Sequence, residues 1–582
     1  MRWILVAALL VPSAESADLT HPVPTPAHRA VCGGGTYRCF ARVQLDEHGN
    51  ARADAAPSGL GPVELAAAYR IPTANDPHAT IAIIDAYGYP TLEADLAVYR
   101  AQYGLPPCTV ASGCLTIVNQ TGQTAPLPMP PSAQNDWTVE TALDMDMASA
   151  GCPMCKILVV QATNDRNNGL VTSNDTAATM GATVISNSWG GPESASEDAH
   201  YTHVGVAIFA STGDNGYETQ GASYPAASPR VIAVGGTTLV PAPSTLRGWT
   251  ESAWNGGGSA CSSQAPKPAW QTSSVCANRM TADVSAVGDP ATGVAVYNAG
   301  KWGVVGGTSA SSPLVAAIYA NTHHSAETGE YAYKNSGLFF DVAAGTNGTC
   351  NTILCKAGVG WDGPTGVGSP NAAGLAGATP PTLAITPATG ATVDKGFTIT
   401  ASCTSTDSAT VARVDLLVDS FPLAPLTTAP FTVTVPETQF ALGRHTITAT
   451  CTTSALLSAT ATTSITTANS CQTATDCAAT TDLCFDNICI PGQDAVGGLG
   501  TTCGGNGDCV SGECGASGSD QHCVIACDAA MSCPSGFDCT SAVCWPSATG
   551  GGGGCNTGGG GQGPLWLGLG IALFAVARRR HT

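Results

Sequence analysis

The segment Gly306-Gly307-Thr308-Ser309-Ala310-Ser311-Ser312-Pro313 runs directly into an apolar, helix-length stretch, Leu314–Ala320. Two glycines let the backbone approach another group closely. Ser309 then falls at the start of the predicted helix, with Pro313 in its first turn. A hydroxyl in that position faces free N–H groups and the positive end of the helix dipole, which stabilise an adjacent oxyanion. The same residues also describe an ordinary serine N-cap. Upstream, Glu140-Thr141-Ala142-Leu143-Asp144 places two carboxyls four residues apart, hence on one helix face. Such a pair cannot cheaply ionise twice, so it shares a proton and one pKa rises, which suits proton exchange with a serine in acid. A solvated acidic face is the alternative; the apolar neighbours Ala142, Leu143, Met145, Met147 and Ala148 argue against it, and Asp136 and Asp146 are lower-ranked carboxylates nearby. The last candidate is Asp214, in Ser211-Thr212-Gly213-Asp214-Asn215-Gly216 after an apolar run. Protonated, it would donate a hydrogen bond to a tetrahedral oxyanion; otherwise the stretch is a turn.

Short apolar runs are the elements that must position these groups. Ile81–Ile84, Ile157–Val160, Val184–Ser186, Val206–Ala210 and Val231–Val234 read as buried parallel strands, separated by the helix-length Leu92–Tyr103, Thr138–Ala150 and Leu170–Met180. The alternation predicts an α/β fold, a parallel sheet with helices on both faces, whose sites lie at the carboxyl ends of its strands. Composition bounds the partners. Only 11% of the 582 residues are charged and the net charge is −20, which excludes nucleic acid or anionic lipid bound through a basic face.

After Thr379-Pro380-Pro381 the pattern changes to apolar/polar alternation in Phe397–Cys403, Val411–Val418, Phe431–Val435 and His445–Cys451, the mark of an Ig-like β-sandwich. The 25 cysteines point to an oxidising compartment. Those up to Cys451 form the couples 32/39, 108/114, 152/155, 261/276, 350/355 and 403/451, with pairing within each couple an assumption; twelve more between Cys471 and Cys544 fall into three four-cysteine modules, and Cys555 is left over. Disulfides must replace a core in those modules; zinc competes, but paired C-x₂-C knuckles and nearby histidines are missing.

Taken in order, the Glu-x-x-x-Asp helix, Ser186-Asn187-Ser188-Trp189-Gly190-Gly191, Gly213-Asp214, Tyr224-Pro225-Ala226-Ala227-Ser228-Pro229, Ala233-Val234-Gly235-Gly236-Thr237 and the Ser309 segment resemble the sedolisins, serine-carboxyl peptidases of the subtilisin-like clan. The resemblance implies Ser309 as nucleophile, Glu140 as general base, Asp144 as the group that orients and charges it, Asp214 as oxyanion donor, and Asp85 as a supporting acid. It also implies one Ca²⁺ held by Asp341 and Asp362 with the carbonyls of Val342, Gly358 and Gly360, hard oxygen ligands suited to that ion. A subtilisin-type triad using Asp85 and a displaced histidine such as His200 is the weaker reading, because none of the histidines between Leu60 and Ala378 is followed by glycine. Sedolisins usually carry a long folded propeptide, whereas only about 43 residues (18–60) precede the family-like start Gly61-Pro62-Val63-Glu64-Leu65.

The ends imply export. Residues 1–17 read as a signal peptide, and Leu565–Ala577 followed by Arg578-Arg579-Arg580 is an apolar run too short to span a bilayer unaided. With Cys555 this end resembles the Gly-Cys, apolar segment, Arg-cluster tail of myxobacterial surface proteins (the MYXO-CTERM signal), which implies a sorting or processing protease as partner and membrane association through the tail. The expected organisation is signal 1–17, short leader 18–60, peptidase domain 61–378, β-sandwich 382–469, cysteine-rich modules 470–546, Gly-rich linker 547–564 and sorting segment 565–582. The expected function is a secreted, then surface-associated or released, acid-active endopeptidase acting on polypeptides. The alternative is a catalytically silent adhesion protein.

Overall fold

A computed structural model describes residues 26–72, 79–394, 396–436, 439–440, 443–467, 471, 474–477, 479–485, 488–517, 519–527 and 533–547. The expected signal peptide, Cys555 and the apolar tail lie outside these. Among the described residues no helix is long and apolar enough to cross a membrane.

The predicted α/β architecture is present. In spatial order the main sheet runs Gly248–Ala253, Ile232–Ala242, Ala207–Ser211, Val184–Asn187, Thr80–Ala86, Lys156–Ala162 and Leu115–Asn119, with Val284–Val287 as an eighth strand paired to Ile232–Ala242. Every pairing is parallel except Gly248–Ala253 against Ile232–Ala242. Thr80–Ala86 comes first in the chain yet sits inside the sheet, with Lys156–Ala162 on one side and Val184–Asn187 on the other. The chain therefore departs from it in two directions, and a crevice opens at its carboxyl end, where Asp85 lies. The apolar runs are buried on both faces, from Ile81 to Ile84 without exposed surface, which is why they show no alternation.

Two helices are sealed inside the domain. Trp137–Gly151 is buried from Glu140 onward, and Thr308–Asn321 is buried throughout. Small residues make this possible: a Cβ at Gly151 would stand 2.6 Å from the Ala317 Cβ, so the helix axes approach more closely than larger side chains permit. Pro313 corrects the sequence reading. It lies inside the helix, not in its first turn, and the Ser309 carbonyl that its missing N–H leaves free receives the Ser188 hydroxyl at 3.5 Å.

The leader is no separate appendage. His28–Ala30 and Arg42–Gln44 join Val294–Asn298 and Lys301–Gly306 in a four-stranded sheet, while Arg38–Cys39 pairs with Trp189–Gly190.

The β-sandwich is present as sheets of three (Thr382–Thr386, Thr398–Thr404, Thr432–Thr434) and five strands (Thr392–Val393, Ser458–Thr467, Gly443–Thr453, Val411–Val418, Phe421–Pro422). The six expected couples up to Cys451 are disulfides. In each later module the first cysteine pairs with the third and the second with the fourth: Cys471–Cys484 and Cys477–Cys489, Cys503–Cys514 and Cys509–Cys523, Cys527–Cys539 and Cys533–Cys544. These thiols are consumed in pairs, which removes the thiolates a zinc site needs.

Candidate active site

Glu140 and Asp144 share one face of the Trp137–Gly151 helix, and both are fully buried. Asp85 reaches them from the end of its strand, close enough that its charge would raise the pKa of each. Burial is the main cause in all three: it pushes Asp85 up to about 7 and Glu140 and Asp144 well above the carboxylate range. Both oxygens of Asp85, both of Asp144 and Oε1 of Glu140 are buried and make no hydrogen bond of ordinary geometry. Buried acceptors left so are costly. Protons held among the carboxyls resolve the problem, since a protonated carboxyl is itself a donor.

Ser309 opens the second helix and has no exposed surface. Its hydroxyl donates to the Ser188 carbonyl at 3.0 Å and accepts from the Phe40 N–H at 3.1 Å. It also lies where it stabilises the Glu140 anion, whose Oε2 accepts the Ala41 N–H at 2.8 Å. Ser188 in turn stabilises the Asp144 anion. On the other side, Oδ1 of Asp214 accepts the Thr308 N–H at 2.8 Å and the Thr308 hydroxyl at 3.1 Å, and that hydroxyl accepts the Gly213 N–H at 3.1 Å. Oδ2 of Asp214 is buried without a donor and sits 2.8 Å from where a Cβ at Gly307 would be. Gly307 has φ +100°, a backbone state that favours glycine, and so leaves room beside that oxygen. Burial pushes Asp214 up to about 7, so below neutrality Oδ2 is the oxygen free to carry a proton outward.

The structure thus gathers Ser309, Glu140, Asp144, Asp214 and Asp85. Asp136 instead caps its helix, accepting the Thr138 N–H at 3.2 Å, and Asp146 accepts the Tyr297 N–H at 3.1 Å. His200 is held by Asp175 at 2.6 Å, which gives the histidine reading no support. Sequence reasoning assigned no role to the Ser188 carbonyl, to Thr308 as the brace of Asp214, or to Phe40 and Ala41. The first was visible only as part of the Ser-Asn-Ser-Trp-Gly-Gly segment, and the last pair carried no signal beyond the Cys32/Cys39 couple.

The two carboxylates expected to hold calcium lie beside one loop. Asp362 is buried, its Oδ2 accepts the Gly358 N–H at 3.0 Å, and Oδ2 of Asp341 accepts the Gly360 N–H at 2.9 Å. Burial pushes Asp362 up to about 7, and the Asp341 charge adds in the same direction. Two repelling carboxylates beside the curled loop at Gly360 (φ +81°) are a donor set that fits a hard divalent cation.

A model of the subtilase family matches residues 133–333, and one of bacterial Ig domains matches residues 381–449. Kumamolisin of Bacillus sp. (strain MN-32) is 32% identical over 360 residues, which cover 54% of this chain and 63% of kumamolisin. The α/β domain is similar to the sedolisin family. The sedolisin of Pseudomonas sp. (strain 101) is 33% identical over 198 residues, 28% of this chain and 33% of that protein. The chain therefore spans less than two thirds of the length of these relatives. A solved structure of Pseudomonas sedolisin, a serine-carboxyl proteinase complexed with two molecules of pseudo-iodotyrostatin, aligns with 55% of this chain and 98% of its own at 26% identity and a TM-score of 0.47. In the α/β domain, the match to kumamolisin and the order of the motifs agree with the expected resemblance.

Proposed function

We propose that this chain is an acid-active serine-carboxyl endopeptidase, secreted or held at the cell surface, that hydrolyses peptide bonds in polypeptides. One observation carries the reading: a buried serine hydroxyl stands among buried carboxyls whose free oxygens require protons. Ser309 Oγ attacks the amide carbonyl and Glu140 takes its proton. Asp144, with Asp85 behind it, exchanges charge with Glu140 so that the base is not left ionised alone. Asp214 Oδ2–H donates to the oxyanion as it forms. Export rests on the signal-like residues 1–17 and the disulfides, and surface attachment through a processed, membrane-associated tail rests on the sequence alone. The test is hydrolysis of a denatured protein by the purified chain from pH 3 to 8. Activity that peaks near neutrality, or survives loss of Ser309, would sink the mechanism.

Asp214 offers a sharper check. A carboxyl donates only while protonated, so activity is expected to fall as pH rises through about 7. Asp214→Ala should lower kcat by roughly 10²–10³-fold, the usual cost of one oxyanion donor. Asp214→Asn keeps an N–H donor at every pH and should lose less, with the alkaline fall in rate flattened. An unchanged pH–rate profile in Asp214→Asn would remove Asp214 from the oxyanion site.

We also propose one Ca²⁺ on Asp341, Asp362 and the carbonyls of Val342, Gly358 and Gly360. When bound, the ion relieves carboxylate repulsion and fixes the loop. A chelator should lower Tm by several degrees, a ligand at 100 times its Kd contributing about 2.7 kcal/mol. Asp362→Ala should show no further loss on chelation. Equal Tm with and without chelator in the parent protein would rule the site out.

A further inference from the structure

The strand edge at Trp189–Gly190 is fastened to the loops beside it through one side chain, that of Glu193, which follows Gly190-Gly191-Pro192 in the chain. Glu193 Oε1 accepts the Ala222 N–H at 2.6 Å and the Ser263 N–H at 2.9 Å. Its Oε2 accepts the N–H groups of Ser263 and Gln264, each at 3.0 Å, and the hydroxyls of Ser262 at 2.8 Å and Ser263 at 3.1 Å. Backbone and side-chain donors from two separate loops thus converge on one carboxylate, and hydrogen bonds to a charged acceptor are the strong kind. Gly221 makes room for it: its φ is +122°, and a Cβ there would stand 2.8 Å from Oε1. The Gln264 side chain completes the tie by donating to the Glu193 carbonyl at 3.2 Å.

What this carboxylate fastens is one wall of the cleft. At the head of the same segment, the Ser188 carbonyl accepts the Ser309 hydroxyl at 3.0 Å. Gly191 and Tyr224 exchange backbone hydrogen bonds at 2.9 and 3.0 Å, and a Cβ at Gly190 would strike the Ser223 hydroxyl. A cavity of about 500 Å³ is lined by Pro192, Gln220, Ala222 and Ser223, together with Arg38 and Phe40 of the leader. The leader marks the path of an extended chain here. Arg38 and Cys39 pair antiparallel with Gly190 and Trp189, and the Phe40 N–H lies 3.1 Å from Ser309 Oγ. Arg42 and Val43 pair instead with Gly306 and Val305. A chain on this path meets the wall that Glu193 ties down only with residues on the amino side of the one at Ser309.

We propose that Glu193 is a positioning residue for peptide hydrolysis: it fixes the wall that receives the part of the substrate preceding the scissile bond. The inference rests on the peptidase reading above. Glu193 touches no reacting atom in that reading and acts through the loops it joins, so its effect falls on substrate binding and not on the chemical step. The site discriminates a carboxylate from its isosteric amide. An amide has one acceptor oxygen and an NH₂ group. Whichever way it turned at position 193, the NH₂ would face backbone N–H groups that cannot rotate away, those of Ala222 and Ser263 on one side or Ser263 and Gln264 on the other.

The experiment compares the full chain with Glu193→Gln and Ser263→Ala at one acid pH, on two series of synthetic peptides. One series is lengthened on the amino side of the scissile bond and the other on the carboxyl side; KM and kcat are measured for each peptide. In the parent, KM should fall as residues are added on the amino side. Glu193→Gln should lose that gain, with KM for the longest peptide raised about tenfold, the scale of one bond to a charged group, and kcat unchanged. The gain from the carboxyl side should remain. Ser263 is exposed, and Ser263→Ala removes only the hydroxyl bond at 3.1 Å. It should move KM in the same direction by about two- to threefold, whether or not Glu193→Gln folds. A parent indifferent to amino-side length, variants that keep the whole gain, or equal losses in both series overturn this inference and leave the peptidase reading standing. Absence of hydrolysis of any peptide by the parent overturns both.

Discussion

Ser309→Ala is expected to lower hydrolysis of denatured protein by a factor on the order of 10⁴ or more, the scale seen when a nucleophile that works as a unit with its base is removed. The fold should survive, because the change deletes one oxygen: the helix keeps its backbone bonds, and what is lost is a 3.0 Å bond to the Ser188 carbonyl and an acceptor for the Phe40 N–H, which retains Ser188 at 3.2 Å. Glu140→Gln should produce a comparable collapse by a different route. An amide cannot take the serine proton, although it can still accept the Ala41 N–H. The two changes combined should cost little more than either alone, because each disables the same step. Additive losses in the double variant would show that Ser309 and Glu140 do not act together, and the measurement is kcat/KM for the four proteins at one acid pH.

The second large effect is on stability against pH. Burial raises Asp85 and Asp214 to about 7, and raises Glu140 and Asp144 as well. A carboxyl whose pKa is higher folded than unfolded holds its proton more tightly in the native state. Its contribution is complete below the ordinary carboxylate pKa and is lost as pH rises through the folded value. The sign is the reverse of that for a salt-bridged aspartate. The domain should therefore be more stable at pH 4 than at pH 8, by a few kcal/mol summed over coupled groups, or on the order of 10 °C in Tm. Asp85→Asn should narrow that difference, since an amide has no proton to lose. A melting temperature that climbs from pH 4 to pH 8 in calorimetry would show that these carboxyls are not protonated in the native domain.

What the sequence disclosed depended on how local the cause was. Strands buried on both faces announced themselves as unbroken apolar runs: Ile81–Ile84 falls inside the observed Thr80–Ala86, while Val206 and Val231 lie one residue before the strands they were expected to open. Glu140 and Asp144 were legible as a pair because helical spacing puts residues four apart on one face. Asp214 was legible only as a carboxylate following a buried strand, and Asp85 could be assigned only through family resemblance, since nothing near it in the chain shows what lies beside it. The strands of the leader were not legible. Its strands are two or three residues long, and their partners lie far along the chain, at Gly190 and Val305. Short segments of that kind carry no periodicity to detect. Pro313 shows the opposite error: a rule about where proline belongs in a helix gave way to a tertiary contact, the Ser188 hydroxyl, that occupies the carbonyl proline leaves free.

The interlaced bridges of the cysteine-rich modules have a practical consequence if the backbone is nicked. In the first module both Cys471–Cys484 and Cys477–Cys489 cross the interval between Cys477 and Cys484. A single backbone nick there leaves the two fragments joined by both links. The hairpin Asp482–Phe485 with Ile488–Pro491 stays paired beside it. Cys509–Cys514 and Cys533–Cys539 are spanned twice in the same way. Damage at these intervals cannot by itself sever what lies before a module from what lies after it.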